Sequence, residues 1–308
     1  MYCTTKAMNI LILGNSEDAH AAHLKQTLTQ AGVTVDYLDT RLFPTQLRLS
    51  WQPDTGVGYL TLPGGRKLNF SEIRSVFWRS FSGVNVPSLN DPDRQRIAVN
   101  DAMSAMRTLL QAIPCRWVNS WQAYQFHKEK PLQLHKAKQI GVKIPATWIG
   151  NDPEQAIAFV QSQEKAIFKP VYGGAHTQFI TQDHLDPKRL NLTLSLSPVT
   201  IQEYIPGTNI RSYVIANSVY SAEIRSPSLD FREDLEAELI PVELPDYIQQ
   251  QCLAITQAFM LEWTAIDWRL SPQGEYVFLE ANPSPMFLHF ERQTGFPITQ
   301  ELIQLLLD

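Results

Sequence analysis

The chain of 308 residues carries 26 basic and 31 acidic side chains, a net charge of −5, and 44% apolar residues. That is enough apolar material for two or three packed subdomains. The acidic balance with scattered Lys and Arg argues against a nucleic-acid surface, and no apolar run approaches the ~20 residues that span a bilayer.

Three cysteines, Cys3, Cys115 and Cys252, are odd in number and far apart, so no disulfide framework or metal spacing follows and a reducing cytoplasm is expected. Residues 1–7 lack the apolar core of a signal peptide and are expected to be an upstream extension, with Met8 opening the first strand. Asn9–Leu13 is a continuous apolar run ending at Gly14. Ala21, Leu24, Leu28 and Ala31 follow at helical spacing up to Gly32, and Val33–Leu38 is the next strand. This opening predicts a parallel sheet. No Gly-x-Gly-x-x-Gly is present, so Gly14 is expected to make a tight turn rather than a dinucleotide site.

Pro63-Gly64-Gly65 joins Tyr59–Leu62 to Arg66–Phe70 as a hairpin. Ser75–Trp78 is another strand with Arg79 at its end. Arg79 has two readings: a surface arginine, or a contact to an acidic or peptide substrate at the carboxyl edge of the parallel sheet, where ligands bind. Asp91-Pro92 caps a helix in which Val99, Met103, Met106, Leu110 and Ile113 recur at helical spacing, so the methionines are core. The first domain is expected to close near residue 120.

Lys128, Glu129, Lys130 and Pro131 open a helix running to Ile140, and Val142–Thr147 is extended, held to an edge by Pro145. Asp152-Pro153 caps a further helix up to Gln163. The strand Ala166–Lys169 leads into a loop containing Gly173, Gly174 and His176. A lysine at a strand end supplies a point charge, and glycines let backbone N–H groups approach a phosphate. Two-glycine loops are common, so this motif is weak alone, and His176 reads as a loop residue rather than a base.

Val199–Glu203 is a strand with Gln202-Glu203 at its end, followed by Tyr204, Ile205 and Gly207. On the next strand Arg211 and Tyr213 face one way, Ser212 and Val214 the other, and Tyr220–Arg225 is its antiparallel partner. Ile248, Cys252, Ile255 and Phe259 form a helix stripe that buries Cys252 as core. Pro297–Leu307 is a short amphipathic helix expected to dock on the last domain.

The stretch Trp263–Pro285 reads as two strands about the turn Ser271-Pro272-Gln273-Gly274. Asp267 and Arg269 share one face, and Phe278, Glu280 and Asn282 share one face of the partner. Asp267 falls across from Leu279 or Glu280. Carboxylates converging in an apolar strand pair are costly without a cation, and hard oxygens on neighbouring strands suit Mg²⁺. The bland alternative is a solvated sheet face with a salt bridge to Arg269.

Asp267 followed by LEANPSP from Leu279 resembles the metal-binding end of the ATP-grasp superfamily, enzymes that join a carboxylate to an amine, hydroxyl or thiol using ATP. The upstream segments resemble that superfamily in order, over about residues 125–285. The resemblance implies an α/β pre-ATP-grasp domain (1–120), a small α+β lid subdomain (121–200) and a C-terminal antiparallel-sheet subdomain with the metal site (201–308). It implies Lys130, with Lys128 as rival, and Lys169 on nucleotide phosphates, Gly173 and Gly174 in the lid loop, and Gln202, Glu203 and the backbone of Tyr204 and Ile205 at the base. Asn209 stands where the pattern usually has Asp, and an amide there can still bond ribose without charge. Arg211 would act on the transferring phosphoryl group, and Asp267, Glu280 and Asn282 would hold Mg²⁺, two ions with Glu280 bridging, or Mn²⁺ in its place.

The FWRSF stretch around Arg79, the KP-x-QL segment and the LEANPSPMF ending resemble the branch of ribosomal-peptide maturases of the microviridin type, close to ligases that add glutamate to protein ends. Ser80 departs from the two arginines usual after the hairpin. The resemblance implies an amide or ester bond made through an acyl phosphate, on a carboxylate-bearing peptide or protein with a nucleophilic acceptor. Arg79 and Arg269 are the substrate candidates, and a homodimer is implied by the family alone. A small amino-acid or dipeptide ligase and a non-catalytic ATP-binding regulatory module are the alternative readings.

Overall fold

The computed structural model describes residues 9–172, 176–226 and 237–308. Met8 and the residues before it, expected to precede or open the first strand, lie outside the described residues, as does the loop segment holding Gly173 and Gly174. The chain divides into two compact units, Met1–Trp121 with Met286–Glu291 and Pro297–Asp308, and Gln122–Pro285 with Arg292–Phe296.

In the first unit, β1 (Asn9–Leu13) is followed by α1 (Ala19–Gln30) and β2 (Val35–Leu38). A three-stranded antiparallel patch follows, made of β3 (Arg48–Trp51), β4 (Gly58–Thr61) and β5 (Lys67–Asn69). Then come β6 (Ile73–Trp78), α2 (Pro92–Ala112) and β7 (Arg116–Val118). The main sheet is parallel in the order β2-β1-β6-β7. Ile10 to Leu13 are fully buried, as expected of a parallel strand covered on both faces. Asp91 caps α2 by accepting from the N–H groups of Asp93 and Arg94, with Pro92 in the first turn.

The C-terminal helix, Ile298–Leu307, belongs to this unit and not to the last domain, where its amphipathic pattern was expected to dock. Its buried Leu302, Leu305 and Leu306 complete the core. The Leu306 carbonyl accepts from Ser75 Oγ at 2.8 Å, and the Leu305 carbonyl from Arg116 Nη1 at 2.9 Å. The physical reason is that a parallel sheet needs cover on both faces. The apolar stripe specifies burial without naming the surface that receives it.

In the second unit, which begins at Gln122 within α3 (Trp121–Lys128), α3 and α4 (Lys130–Gln139) precede a four-stranded antiparallel sheet. Its strands are β8 (Thr147–Gly150), β9 (Ala166–Pro170), β10 (Gln178–Phe179) and β11 (Val199–Glu203), in the order β10-β9-β11-β8. Helices α5 (Pro153–Gln161) and α6 (Pro187–Leu196) pack on it through Ala156, Leu190 and Leu194. The helix expected to open at Lys128 is split, because Lys128 ends α3 and Glu129 caps α4. A second sheet follows, antiparallel throughout, in the order β14-β13-β12-β15-β16. Its strands are β12 (Thr208–Ile215), β13 (Ser218–Arg225), β14 (Glu238–Val242), β15 (Trp263–Leu270) and β16 (Tyr276–Asn282). Helix α7 (Asp246–Ala258) closes one face, sealing Cys252 among Val214, Trp268 and Phe278. Burial pushes the Cys252 thiol up to about 12, so it is not a reactive thiol.

Candidate active site

The face of the second sheet away from α7 carries the polar residues. Asp267 on β15 pairs in register with Arg211 on β12 and with Glu280 on β16. Between Asp267 and Trp268 the β15–β16 register shifts by one residue, a β-bulge that leaves Leu279 as the extra residue. The bulge corrects the expected alternation. Phe278 does not share a face with Glu280; it pairs with Trp268 and is fully buried in the core under α7. Both residues named as partners of Asp267 therefore stand opposite it, Glu280 in register and Leu279 as the bulged residue.

Two carboxylates directly opposite on paired strands repel. Each is compensated here. Arg211 Nε and Nη2 donate to the two oxygens of Asp267 at 2.7 and 2.8 Å, a bidentate pair. Lys130 Nζ donates to Glu280 Oε2 at 2.5 Å. Burial alone would disfavour the Arg211 charge, but the Asp267 carboxylate outweighs it and the guanidinium pKa is raised. The bland reading thus names the wrong arginine: Asp267 pairs with Arg211, not with Arg269. Asn282 lies two residues beyond Glu280, and its Oδ1 accepts from the Ser284 N–H at 2.9 Å, which fixes the amide oxygen at the end of β16.

Helix α4 supports this edge. Gln133, buried and one turn on from Lys130, accepts from the Ala281 N–H at 3.0 Å through Oε1. The Ala281 carbonyl lies 3.1 Å from His127 Nδ1. Gln133 and His127 thus clamp the residue between Glu280 and Asn282. Burial holds the His127 imidazole below its usual range, with the Glu280 carboxylate opposing and the Lys130 ammonium assisting. The sequence assigned neither residue a role, although Gln133 stands in the KP-x-QL segment; the available signal was its place three positions after Lys130, on the same helical face.

A small cavity of about 100 Å³ lies between the two sheets of this unit, lined among others by Lys169, Gln202, Glu203, Tyr204, Ile205, Asn209, Arg269 and Leu279. Gln202 is buried, and its Nε2 donates to Thr147 Oγ1 at 2.9 Å. Glu203 Oε1 accepts from the Ala146 N–H at 2.8 Å, so this carboxylate ties β11 to the segment before β8. The Tyr204 N–H donates to the Lys165 carbonyl at 2.8 Å. Arg269 donates from Nε to the Ile205 carbonyl and from Nη1 to Asn209 Oδ1, both at 2.9 Å. Among the described residues the Tyr204 carbonyl and the Ile205 N–H have no hydrogen-bond partner.

The structure thus brings Lys130 of α4 together with Arg211, Asp267, Glu280 and Asn282 of β12, β15 and β16. It gathers Lys169, Gln202, Glu203, Tyr204, Ile205, Asn209 and Arg269 around one cavity of the same unit. Arg79 belongs to the first unit, where its Nε donates to Asp18 at 3.0 Å and only 10% of its side chain is exposed, so it is not a free surface arginine. Among the described residues no group of three His, Cys, Asp or Glu could hold a metal; the donor set on β15 and β16 is two carboxylates and one amide oxygen. No helix among the described residues is long and apolar enough to cross a membrane.

Residues 9–125 match the MvdD pre-ATP grasp domain, and residues 126–306 match the RimK-like ATP-grasp domain. No curated protein matches the sequence. Among solved structures, the macrocyclase MdnC from Microcystis aeruginosa MRC, bound with precursor peptide MdnA, is 27% identical with a TM-score of 0.85, over 98% of this chain and 100% of that one. A RiPP-associated ATP-grasp ligase from Chryseobacterium gregarium, in complex with ADP and a leader and core peptide, is 26% identical with a TM-score of 0.87, over 98% and 97% of the two chains. The ATP-grasp ligase PsnB complexed with minimal precursor is 26% identical with a TM-score of 0.84, over 97% of each chain. With its opposed carboxylates on β15 and β16, its lysine-lined cavity and a family match over most of its length, the chain belongs to the RimK-like ATP-grasp family and is an ATP-grasp ligase resembling the ribosomal-peptide maturases.

Proposed function

We propose that this ligase uses ATP and Mg²⁺ to activate a carboxylate of a peptide substrate and join it to an amine or hydroxyl. The observation that carries the reading is the opposed pair Asp267 and Glu280, each held by a cation, beside the cavity between the two sheets. The donor set fits a hard divalent cation: Asp267 and Glu280 would hold it, with the fixed Asn282 oxygen as a further ligand. When bound, Mg²⁺ would supply charge neutralisation for the β- and γ-phosphates, and Asp267, Glu280 and Asn282 would hold it, as two ions.

The chain's own residues then bind and orient. Lys169 and Lys130 position the phosphates. The Tyr204 carbonyl and the Ile205 N–H offer an acceptor and a donor to the base edge, and Gln202 and Glu203 hold the strand that presents them. Gly173 and Gly174 would bring backbone N–H groups to the phosphates. A substrate carboxylate attacks the γ-phosphorus, releasing ADP and forming an acyl phosphate. The acceptor's nitrogen or oxygen then attacks the acyl carbon, phosphate leaves and the acceptor loses its proton. Arg211 donates to the transferring group, a role that positioning and electrostatics can fill without a nucleophilic side chain. The ATP-grasp part divides near residue 200 into lid and C-terminal subdomains, after a first domain ending near residue 120.

The test is ADP and phosphate release by purified protein with Mg²⁺, ATP and a pool of acidic peptides and amino acids, beside Asp267→Asn with Glu280→Gln. The expected result is acceptor-dependent ADP release that falls at least a hundredfold in the double variant, with an acidic peptide as the pool member consumed. ATP binding with no ADP release under any pool would instead favour a regulatory module, and consumption of free amino acids alone a small-molecule ligase.

A further inference from the structure

Arg269 lies two residues beyond Asp267 on β15 and faces Asn209 across the β12 pair. Its guanidinium makes no contact with a carboxylate among the described residues. It donates instead to the Ile205 carbonyl and to Asn209 Oδ1, both at 2.9 Å, and reaches the Tyr204 hydroxyl at 3.4 Å. Tyr204 is itself fixed: its ring meets Phe179 at 5.0 Å, and Lys165 Nζ stands over both rings. One side chain therefore ties the segment after β11 to the start of β12.

The consequence falls on Asn209. Guanidinium is only a donor, so the atom facing Arg269 is the amide oxygen and the orientation of the amide is settled. Asn209 is 8% exposed, and its Nδ2 makes no hydrogen bond among the described residues. Nδ2 is not sealed off, because Asn209 lines both the small cavity and an open one of about 710 Å³ beside it. Asn209 thus lines the cavity with a donor that no described protein group uses and that an oxygen of a bound ligand can accept from.

We propose that Arg269 is a positioning residue rather than a substrate contact: it locks Asn209 so that Nδ2 donates to an oxygen of the bound nucleotide, either a sugar hydroxyl or a phosphate oxygen. A carboxylate at position 209 could only accept; the amide held by Arg269 reads the opposite polarity. This rests on the nucleotide occupying the cavity, as proposed above.

The experiment is calorimetric binding of ADP and of adenosine to wild type, Arg269→Met, Arg269→Lys, Asn209→Ala and Arg269→Met with Asn209→Ala, each checked for a cooperative unfolding transition. Arg269→Met and Asn209→Ala are each expected to weaken ADP about tenfold, and the pair little more than tenfold, because each loses the same contact from Nδ2 to the nucleotide. Arg269→Lys, which keeps the charge without the fork, is expected to be as weak as Arg269→Met. Equal losses for adenosine assign the acceptor to the sugar; losses confined to ADP assign it to a phosphate oxygen. Full rescue by Arg269→Lys, additive losses, or ADP binding unchanged in Asn209→Ala would overturn the positioning role. Wild type that takes neither ADP nor adenosine would overturn the nucleotide reading of the cavity instead.

Discussion

Arg211 and Asp267 illustrate why a paired charge is weak evidence for stability and better evidence for function. The pair is nearly buried, with side-chain exposures of 18% and 9%. Removing one partner strands the other, at a cost of roughly 3 kcal/mol, whereas replacing both with apolar residues is often neutral or better. Arg211→Met is therefore expected to lower unfolding free energy by about that amount. Arg211→Met combined with Asp267→Leu is expected to recover most of it, while ADP release stays absent in both. Denaturant unfolding without nucleotide, run beside the turnover assay, separates the two effects. Stability that tracks turnover through both variants would show the pair to be structural. The Lys130–Glu280 pair is more exposed, at 30% and 25%, and pairs of that kind contribute only about 1 kcal/mol or less.

Strand endings and irregularities place the site more than regular strand does. The bulge at Leu279 keeps Phe278 in the core under α7 while Glu280 faces Asp267. Near the end of β15, Gly207 joins β11 to β12 with φ at +123°, and a Cβ there would lie 1.9 Å from the Leu270 carbonyl oxygen. Backbone faces backbone, so neither side can yield. Gly207→Ala is expected to cost roughly 2–3 kcal/mol and to weaken ADP binding, because Asn209 and the Arg269 contacts start from this turn. Gly274, at φ +82° with nothing within 4 Å of its Cβ position, is the control. Gly274→Ala is expected to cost only about 1 kcal/mol and to leave ADP affinity unchanged. Thermal unfolding and calorimetry on both variants check this, and equal losses would show that the close approach to Leu270 does not matter.

The two compact units draw on the chain in different ways. The second is nearly one continuous stretch, whereas the first recovers the C-terminal helix across the whole length of the second. Ile298, Leu302, Leu305 and Leu306 are all essentially buried, and each such side chain contributes roughly 1.5–3 kcal/mol. Together they approach the entire stability margin of a domain. Truncation after Phe296 is expected to unfold the first unit while ADP with Mg²⁺ still raises the unfolding temperature of the second. Scanning calorimetry with and without nucleotide reads this directly, and loss of the ADP-dependent shift would show that the two units do not fold independently.

Much of this architecture is written in local pattern. The apolar run before Gly14, the Asp91-Pro92 and Asp152-Pro153 caps and the Ile248–Phe259 stripe announce elements the structure contains, because caps and periodicity act within a few residues. Asp267, Glu280 and Asn282 were legible for a similar reason: carboxylates in an apolar strand pair demand compensation. What compensates them was not legible. Arg211 and Lys130 arrive from 56 and 150 residues away, Gln133 clamps Ala281 from 148 away, and the orientation of Asn209 depends on an arginine 60 residues on. Short-range rules fix which elements form and which residues they carry. The packing of one sheet against another chooses partners among groups of equal local promise, and a single bulged residue, invisible in the pattern of alternation, decides which side chain of β16 meets the core and which meets the site.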